Sequence, residues 1–435
     1  MDGQGPLSRF HPLIRKWFEE RLGAPTEIQG LAWPVIAAGR HALITAPTGS
    51  GKTLTAFLWA LNQLITGAWG TGLTRVLYVS PLKALNNDIR RNLEAPLAEL
   101  KELFRTAGAP FPEVCALTRS GDTPAEERRR MARRPPEILI TTPESLNLLL
   151  SSRSGRAMLT GIATVILDEI HAVVGTKRGT HLITAVERLV LLTGEFQRIA
   201  LSATVRPLPA VAAFVGGFIP KGDPKAGHYE KRPVEIVSSR EEKRTEIRVS
   251  FPPDAREKLV DASWWPVLAD TFREIIGQNR ATLLFANSRR TAEKVTRLIN
   301  EGGSETLAYA HHGSLSREIR LAVEERLKKG ELKAIVATSS LELGIDIGEL
   351  DEVILIQTPP SISAAIQRIG RSGHGVGGTS RGRLFPTHGH DFLYAAVLAQ
   401  VILAMTGVET WDIDALYAFL RQSAPYRRVP RRQYD

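Results

Sequence analysis

The sequence predicts an α/β protein built as two tandem parallel, doubly wound sheets. Three observations lead there. Short apolar runs of β type alternate with helical stretches twice over, and most runs end in a small or polar cluster. Between the two series, around Pro220 to Arg232, the chain becomes rich in Gly, Pro and Lys, which is a linker signal. Strands that alternate with helices read as crossover units of a parallel sheet. Ligands of such sheets sit beyond the carboxyl ends of the strands. The expected domains are residues 1–222, 223–390 and a third module from 391 to 435.

The chain opens with a helical face formed by Leu13, Ile14, Trp17, Phe18 and Leu22, which Gly23 stops. A second helix is expected from about Thr26 to Ala38, with Gln29 near its start. A glutamine amide offers a donor beside an acceptor and so matches the N6 and N7 edge of adenine. A surface glutamine is the alternative, and it loses ground because PTEIQ stands just ahead of the next element.

That element is His41 to Ile65, HALITAPTGSGKTLTAFLWALNQLI. Ala42, Leu43 and Ile44 form a strand, a small-residue turn follows, and Leu54, Phe57, Leu58, Leu61, Leu64 and Ile65 lie on one face of a helix. Strand, glycine turn and helix start are the parts of a phosphate loop. Backbone N–H groups around Thr48, Gly49, Ser50, Gly51 and Lys52 can surround a β-phosphate at the positive end of the helix. Lys52 would reach the β- and γ-oxygens and the Thr53 hydroxyl would hold Mg2+. The strict pattern places glycine where this chain has Ala46, a small residue that leaves the turn open.

Four further runs complete the first series: Val76–Val79 before SPLK, Ile138–Ile140 before TTPES, Val165–Leu167 before DEIH, and Ile199–Leu201 before SAT. Asp168 and Glu169 therefore project from a strand end beside the phosphate loop. One carboxylate is needed to hold the metal, directly or through water, and another to orient the attacking water. Asp168 is assigned to the metal and Glu169 to the water. His171, Ser202 and Thr204 would transmit the state of the phosphate, with a capping or solvated histidine as the alternative for His171.

The second series runs Thr282–Phe285, Leu307–Tyr309, Ile335–Ala337 and Val353–Ile356, without a phosphate loop of its own. Its segment IQRIGRSGHG places Arg368 and Arg371 together. An arginine brought to the γ-phosphate from another domain is worth about 10³–10⁵ in rate. Arg371 is the first choice and Arg368 the second, with a tie to an acid of its own domain such as Asp346 as the other role for Arg368. Closing such a cleft on ATP would move one domain against the other and pull on whatever both hold. The expected cargo is a repeating phosphate backbone. Candidate contacts are Pro81, Lys83, Arg119, Gly121 and Thr142 in the first domain, and Ser288, Arg289, Arg290, His312, Thr338 and Ser339 in the second. Such groups meet phosphate and sugar, which predicts little sequence preference.

Composition agrees with this reading. The chain has 435 residues, 43% of them hydrophobic, and a formal net charge of +10, which favours a polyanionic partner. Cys115 is the single cysteine, so an intramolecular disulfide and a cysteine-rich metal site are excluded. The N-terminus MDGQGPLSRF has no signal-peptide pattern, and the longest apolar runs, such as Leu393–Met405, fall short of a membrane span. A soluble, cytoplasmic, monomeric protein is expected.

Together, PTEIQ, APTGSGKT, PLKAL, TTPES, DEIH, SAT, FANSRR, ATSSLELGID and QRIGRSGH resemble the ordered motifs of a superfamily 2 DEAD/DEAH-type helicase. The longer strings DEIHAVVGTKRGTHL, LSATVRPLPAVAAFVGG and ATSSLELGIDIGELDEV resemble the Lhr (large helicase-related) family. The resemblance implies two RecA-like domains with ATP and Mg2+ as nucleotide and cofactor. It further implies an ATPase that moves 3′ to 5′ on single-stranded DNA and unwinds duplexes or RNA:DNA hybrids, in DNA repair or recombination. It adds Gly344, Ile345 and Asp346 as nucleotide contacts from the second domain. At the end of the last motif many superfamily members have a second arginine where this chain has His374, an imidazole that can still donate to a phosphate. The family's core continues into a winged helix and a further domain, so residues 391–435 are expected to hold only the opening of the winged helix. An RNA helicase on the same core, and a nucleotide-gated clamp with little turnover, stay open as alternatives.

Overall fold

The computed structural model describes residues 5–406 apart from 48, 82, 204–206, 222–227, 240–243, 253–262, 303–304, 343–347 and 374–377. It separates into two compact units that change over between Glu241 and Glu242.

In the first unit, α1 (Pro12–Leu22) and α2 (Glu27–Ala37) precede β1 (His41–Thr45) and α3 (Lys52–Ile65). Then come β2 (Val76–Val79), α4 (Lys83–Thr106), β3 (Ala116–Arg119), α5 (Ala125–Arg133), β4 (Ile138–Thr141), α6 (Pro143–Leu150) and α7 (Arg153–Met158). The series continues through β5 (Thr164–Leu167), α8 (Lys177–Thr193), β6 (Gln197–Ser202) and α9 (Leu208–Gly216). An exposed antiparallel hairpin, β7 (Phe218–Pro220) with β8 (Tyr229–Lys231), leads into β9 (Val234–Ser238). The sheet is parallel throughout, in the order β3-β4-β2-β5-β6-β1-β9.

Period-two alternation sends successive strand residues to opposite faces, and each face has its own helix layer. Ile44, Tyr78, Ile140 and Ile166 pack with Phe57, Leu58 and Leu61 of α3 on one side. Leu43, Leu77, Val79, Leu139 and Val165 pack with Leu146, Leu182 and Leu189 of α6 and α8 on the other.

The expected boundary at 222 needs correction. β9 pairs in parallel along the whole of β1, so the stretch read as linker lies inside the first unit. Two arginines fasten it. Arg232 bonds Glu195 at 2.8 Å, Glu187 at 3.0 Å and the Gly216 carbonyl at 2.9 Å. Arg198, fully buried on β6, shares Glu187 at 2.7 Å.

The second unit contains β10 (Thr245–Val249), α10 (Trp265–Gln278), β11 (Thr282–Ala286), α11 (Arg289–Asn300), β12 (Ala308–His311), α12 (Arg317–Lys328) and β13 (Ala334–Ala337). β14 (Glu352–Ile356), α13 (Ile362–Ile369), β15 (Ser380–Phe385) and α14 (Gly389–Thr406) follow. Its parallel sheet runs β10-β15-β14-β11-β13-β12. Phe272 and Ile276 of α10, with Val295 of α11, cover Leu284, Ile354 and Phe385. Beyond Thr406 the expected winged-helix opening lies outside the described residues. Among the described residues no helix is long and apolar enough to cross a membrane.

Candidate nucleotide-hydrolysis site

The phosphate loop stands where the sequence places it, between β1 and the first turn of α3. Gly49 and Gly51 take φ of 86° and 83°, the left-handed region that glycine enters without penalty. At Gly51 space is limiting as well, since a Cβ would stand 2.9 Å from Gln29 Nε2. Lys52 donates to the carbonyls of Ala46 at 2.6 Å and Pro47 at 2.7 Å, which folds the ammonium back over the loop. The Ser50 hydroxyl donates to the Pro47 carbonyl at 2.8 Å. Thr48 lies outside the described residues. Gln29 is 4% exposed; its amide oxygen accepts the Thr26 N–H at 2.9 Å, while the Thr26 hydroxyl donates to the Ser50 carbonyl at 3.0 Å. The glutamine thus helps fasten the start of α2 beside the loop.

Asp168 and Glu169 follow β5, two strands from β1 in the sheet order. Asp168 is 6% exposed; one oxygen accepts the Glu169 N–H at 2.8 Å and the other accepts the hydroxyl of Tyr78. Burial and then the Glu169 charge raise its carboxyl from the ordinary value to about 6, while Lys52 draws it down. Lys52, Asp168 and Glu169 therefore share one electrostatic environment. Glu169 adopts φ 47° and ψ 42°, a conformation that costs a non-glycine residue free energy and is found where surrounding structure enforces it.

His171 lies between Glu169 and the end of β6. Its Nδ1 accepts the Ala203 N–H at 3.2 Å and lies 3.3 Å from Ser202 Oγ. Burial depresses the imidazole to about 4, so it is neutral at physiological pH. With Nδ1 accepting, the ring proton belongs on Nε2, which stands 3.4 Å from Glu169 Oε2. The expected grouping of His171 with Ser202 is present, and Thr204 lies outside the described residues.

The donor set fits the expected ligands. Among the described residues there is no cluster of three or more His, Cys, Asp or Glu able to cage a metal. A hydroxyl at Thr53 and one carboxylate at Asp168 suit Mg2+, which completes its shell from phosphate oxygens and water.

In the second unit, Arg368 is 3% exposed and committed to its own neighbours. It donates to Glu342 at 3.0 Å and Asn287 at 3.0 Å, over the Phe285 ring. The acid is thus Glu342; Asp346, the example suggested by the sequence, lies outside the described residues with Gly344, Ile345 and His374. Arg371 follows α13 and is 2% exposed.

The nominated phosphate contacts divide by burial. Gly121, Ser288, Arg289, Arg290 and Ser339 are exposed, and Arg119 and Thr338 are half-buried. Ser288 caps α11 through the Thr291 N–H at 3.0 Å. Thr142 is 2% exposed and caps α6, and Pro81 is also buried. His312 is buried and meets Glu293 at 2.7 Å. The side chain of Lys83, at the start of α4, lies outside the described part of the chain.

Comparison with known proteins agrees with the fold. The DEAD/DEAH box helicase family matches residues 26–210, and the helicase conserved C-terminal domain matches residues 268–375. The Lhr helicase/probable uracil glycosylase of Mycolicibacterium smegmatis is 41% identical, spanning 100% of this chain and 32% of that protein. ATP-dependent helicase Lhr-Core protein 2 of Thermococcus barophilus is 42% identical over 96% of this chain and 50% of its own length. The solved structure of Mycobacterium smegmatis helicase Lhr bound to ssDNA and AMP-PNP superposes with a TM-score of 0.84 at 42% identity, covering 99% of this chain and 57% of that one. This chain thus spans about a third to a half of these curated relatives. Two helicase-domain matches in the expected order, and Lhr proteins aligned along nearly the whole chain, place it in the Lhr family of superfamily 2 DEAD/DEAH-type helicases.

Proposed function

We propose that this chain is the motor of an ATP- and Mg2+-dependent helicase that tracks 3′ to 5′ along single-stranded DNA and unwinds DNA duplexes or RNA:DNA hybrids. The observation that carries the hydrolytic part is the cluster of Lys52, Asp168, Glu169 and His171 beyond the carboxyl ends of β1 and β5, on either side of β6. Choice of DNA is supported by the related Lhr solved with ssDNA and AMP-PNP. Direction and a place in DNA repair or recombination rest on family membership.

In this reading the loop N–H groups and Lys52 hold the β- and γ-phosphates, and Gln29 reads the adenine. Lys52 would exchange its two loop carbonyls for phosphate oxygens. Bound Mg2+ supplies Lewis-acid stabilisation of charge on those oxygens. Thr53 and Asp168 hold it, and Glu169 orients the attacking water, its carboxylate faced by the neutral Nε2–H of His171. Because the same imidazole receives the Ala203 N–H, a change at Glu169 reaches the end of β6 directly. Arg371 is proposed as the finger for the transferred phosphate, with Gly344, Ile345, Asp346 and His374 as further nucleotide contacts. The exposed Arg289 and Arg290 are among the proposed backbone contacts.

Glu169→Gln tests the assignment. Hydrolysis should fall by about 10²–10⁴-fold while ATP binding persists. Unchanged turnover would remove Glu169 from its role, and a parent protein without turnover would favour a nucleotide-gated clamp. Stimulation by an RNA oligomer but not by the matched DNA would make the chain an RNA motor.

A further inference from the structure

We infer that Tyr78 is a positioning residue of the metal site, spanning the two elements that supply its oxygen ligands. The inference rests on the proposed function. Tyr78 lies on β2, flanked in sequence by aliphatic residues, and is fully buried. Sheet parity determines where it points. Tyr78 pairs with Ile166 of β5, and Asp168 stands two residues beyond Ile166 on the same face of the sheet. The ring fills the layer between sheet and α3, and its hydroxyl reaches forward to Asp168.

A phenylalanine would fill that layer equally well. Burying a hydroxyl without a partner is costly, so its presence is explained by the oxygen it meets. The ring stacks on Phe57 of α3 with centroids 5.3 Å apart and planes at 28°. Phe57 is one helical turn beyond Thr53 on the same face of α3. Thus the helix bearing the Thr53 hydroxyl supports the ring, while the hydroxyl of Tyr78 restrains the Asp168 carboxylate. One side chain sets the spacing between the two protein ligands proposed for Mg2+. Partners that orient a ligating carboxylate in this way are worth about 10–100-fold in metal affinity or activity when removed.

Tyr78→Phe keeps the ring and removes the hydroxyl. Mn2+ binding to the whole chain with AMP-PNP, followed by electron paramagnetic resonance, should weaken by about 10-fold or more. The Mg2+ dependence of ATP hydrolysis should move by the same factor, with nucleotide affinity in EDTA unchanged. A purely structural role would leave both metal curves in place. Superimposable curves, in a parent that does hydrolyse ATP with Mg2+, would overturn the assignment of Tyr78 alone. A parent that turns over no ATP at any Mg2+ concentration would instead overturn the functional reading. Should Tyr78→Phe fail to fold, Phe57→Leu decides the question: it keeps the hydroxyl, loosens the ring, and should weaken metal binding in the same direction by a smaller factor.

Discussion

At the scale of single residues, the site holds a charge where the fold would favour a neutral group. Asp168 has its carboxyl raised to about 6 by burial and by Glu169. A folded-state value above the unfolded one means that the fold prefers the protonated form. Stability is therefore lost as pH climbs from about 4 through 6, and the loss is complete above that. Asp168→Asn, neutral at every pH and nearly isosteric, should melt higher than the parent at pH 7.5 without nucleotide, and should lose this advantage near pH 4. Hydrolysis should be lost at both. Thermal melts at the two pH values check this, and an asparagine variant that gains nothing at pH 7.5 would refute it. The sequence displayed Asp168, Glu169, His171 and the loop because each belongs to a spaced motif. It concealed Tyr78, which reads as one more apolar letter in VLYV until strand register puts it beside Asp168. It also concealed the positive φ of Glu169, since no residue type announces a left-handed glutamate.

At the scale of elements, legibility follows position in the sheet. Central strands β2, β4, β5, β11, β13 and β14 are covered on both faces and appear as continuous apolar runs. Strands β3, β9 and β10 lie at sheet edges, and β15 is next to an edge. Their sequences ALTR, VEIVS, TEIRV and SRGRLF mix charges with apolar residues, as strands exposed along one side do. Missing β9 is what displaced the expected domain boundary. The anchor of that strand is Arg232, whose side chain is 3% exposed while its partners Glu187 and Glu195 remain 35% and 51% exposed. Arg232→Met should cost about 3 kcal/mol, the lower end for breaking a buried ion pair, because half-exposed glutamates recover solvation when released. Urea unfolding of the two proteins measures it. A difference below about 0.5 kcal/mol, as for a surface substitution, would show that β1 pairing alone secures the strand.

For the whole molecule, the question is whether a net charge of +10 is a diffuse property or a track for phosphates. Several nominated contacts present suitable chemistry: Arg289 and Arg290 are exposed at the start of α11, and Arg119 ends β3 with Gly121 exposed two residues on. None reads a base edge by its position in a motif, so affinity should come from counterion release and depend little on sequence. With about six phosphates held, log affinity for a single strand should fall against log salt with a slope near −4, since each contact contributes about −0.7. Arg289→Ala should reduce that slope by about 0.7 and weaken unrelated sequences equally, because one phosphate contact is lost and no base contact with it. Fluorescence anisotropy of a labelled oligonucleotide across a salt series gives both quantities. A salt-independent affinity would exclude backbone tracking. A slope unaltered in Arg289→Ala would instead leave tracking intact and move that contact to another cation. The two outcomes separate the general claim, that this basic chain follows phosphates, from the particular claim that α11 supplies one of its grips.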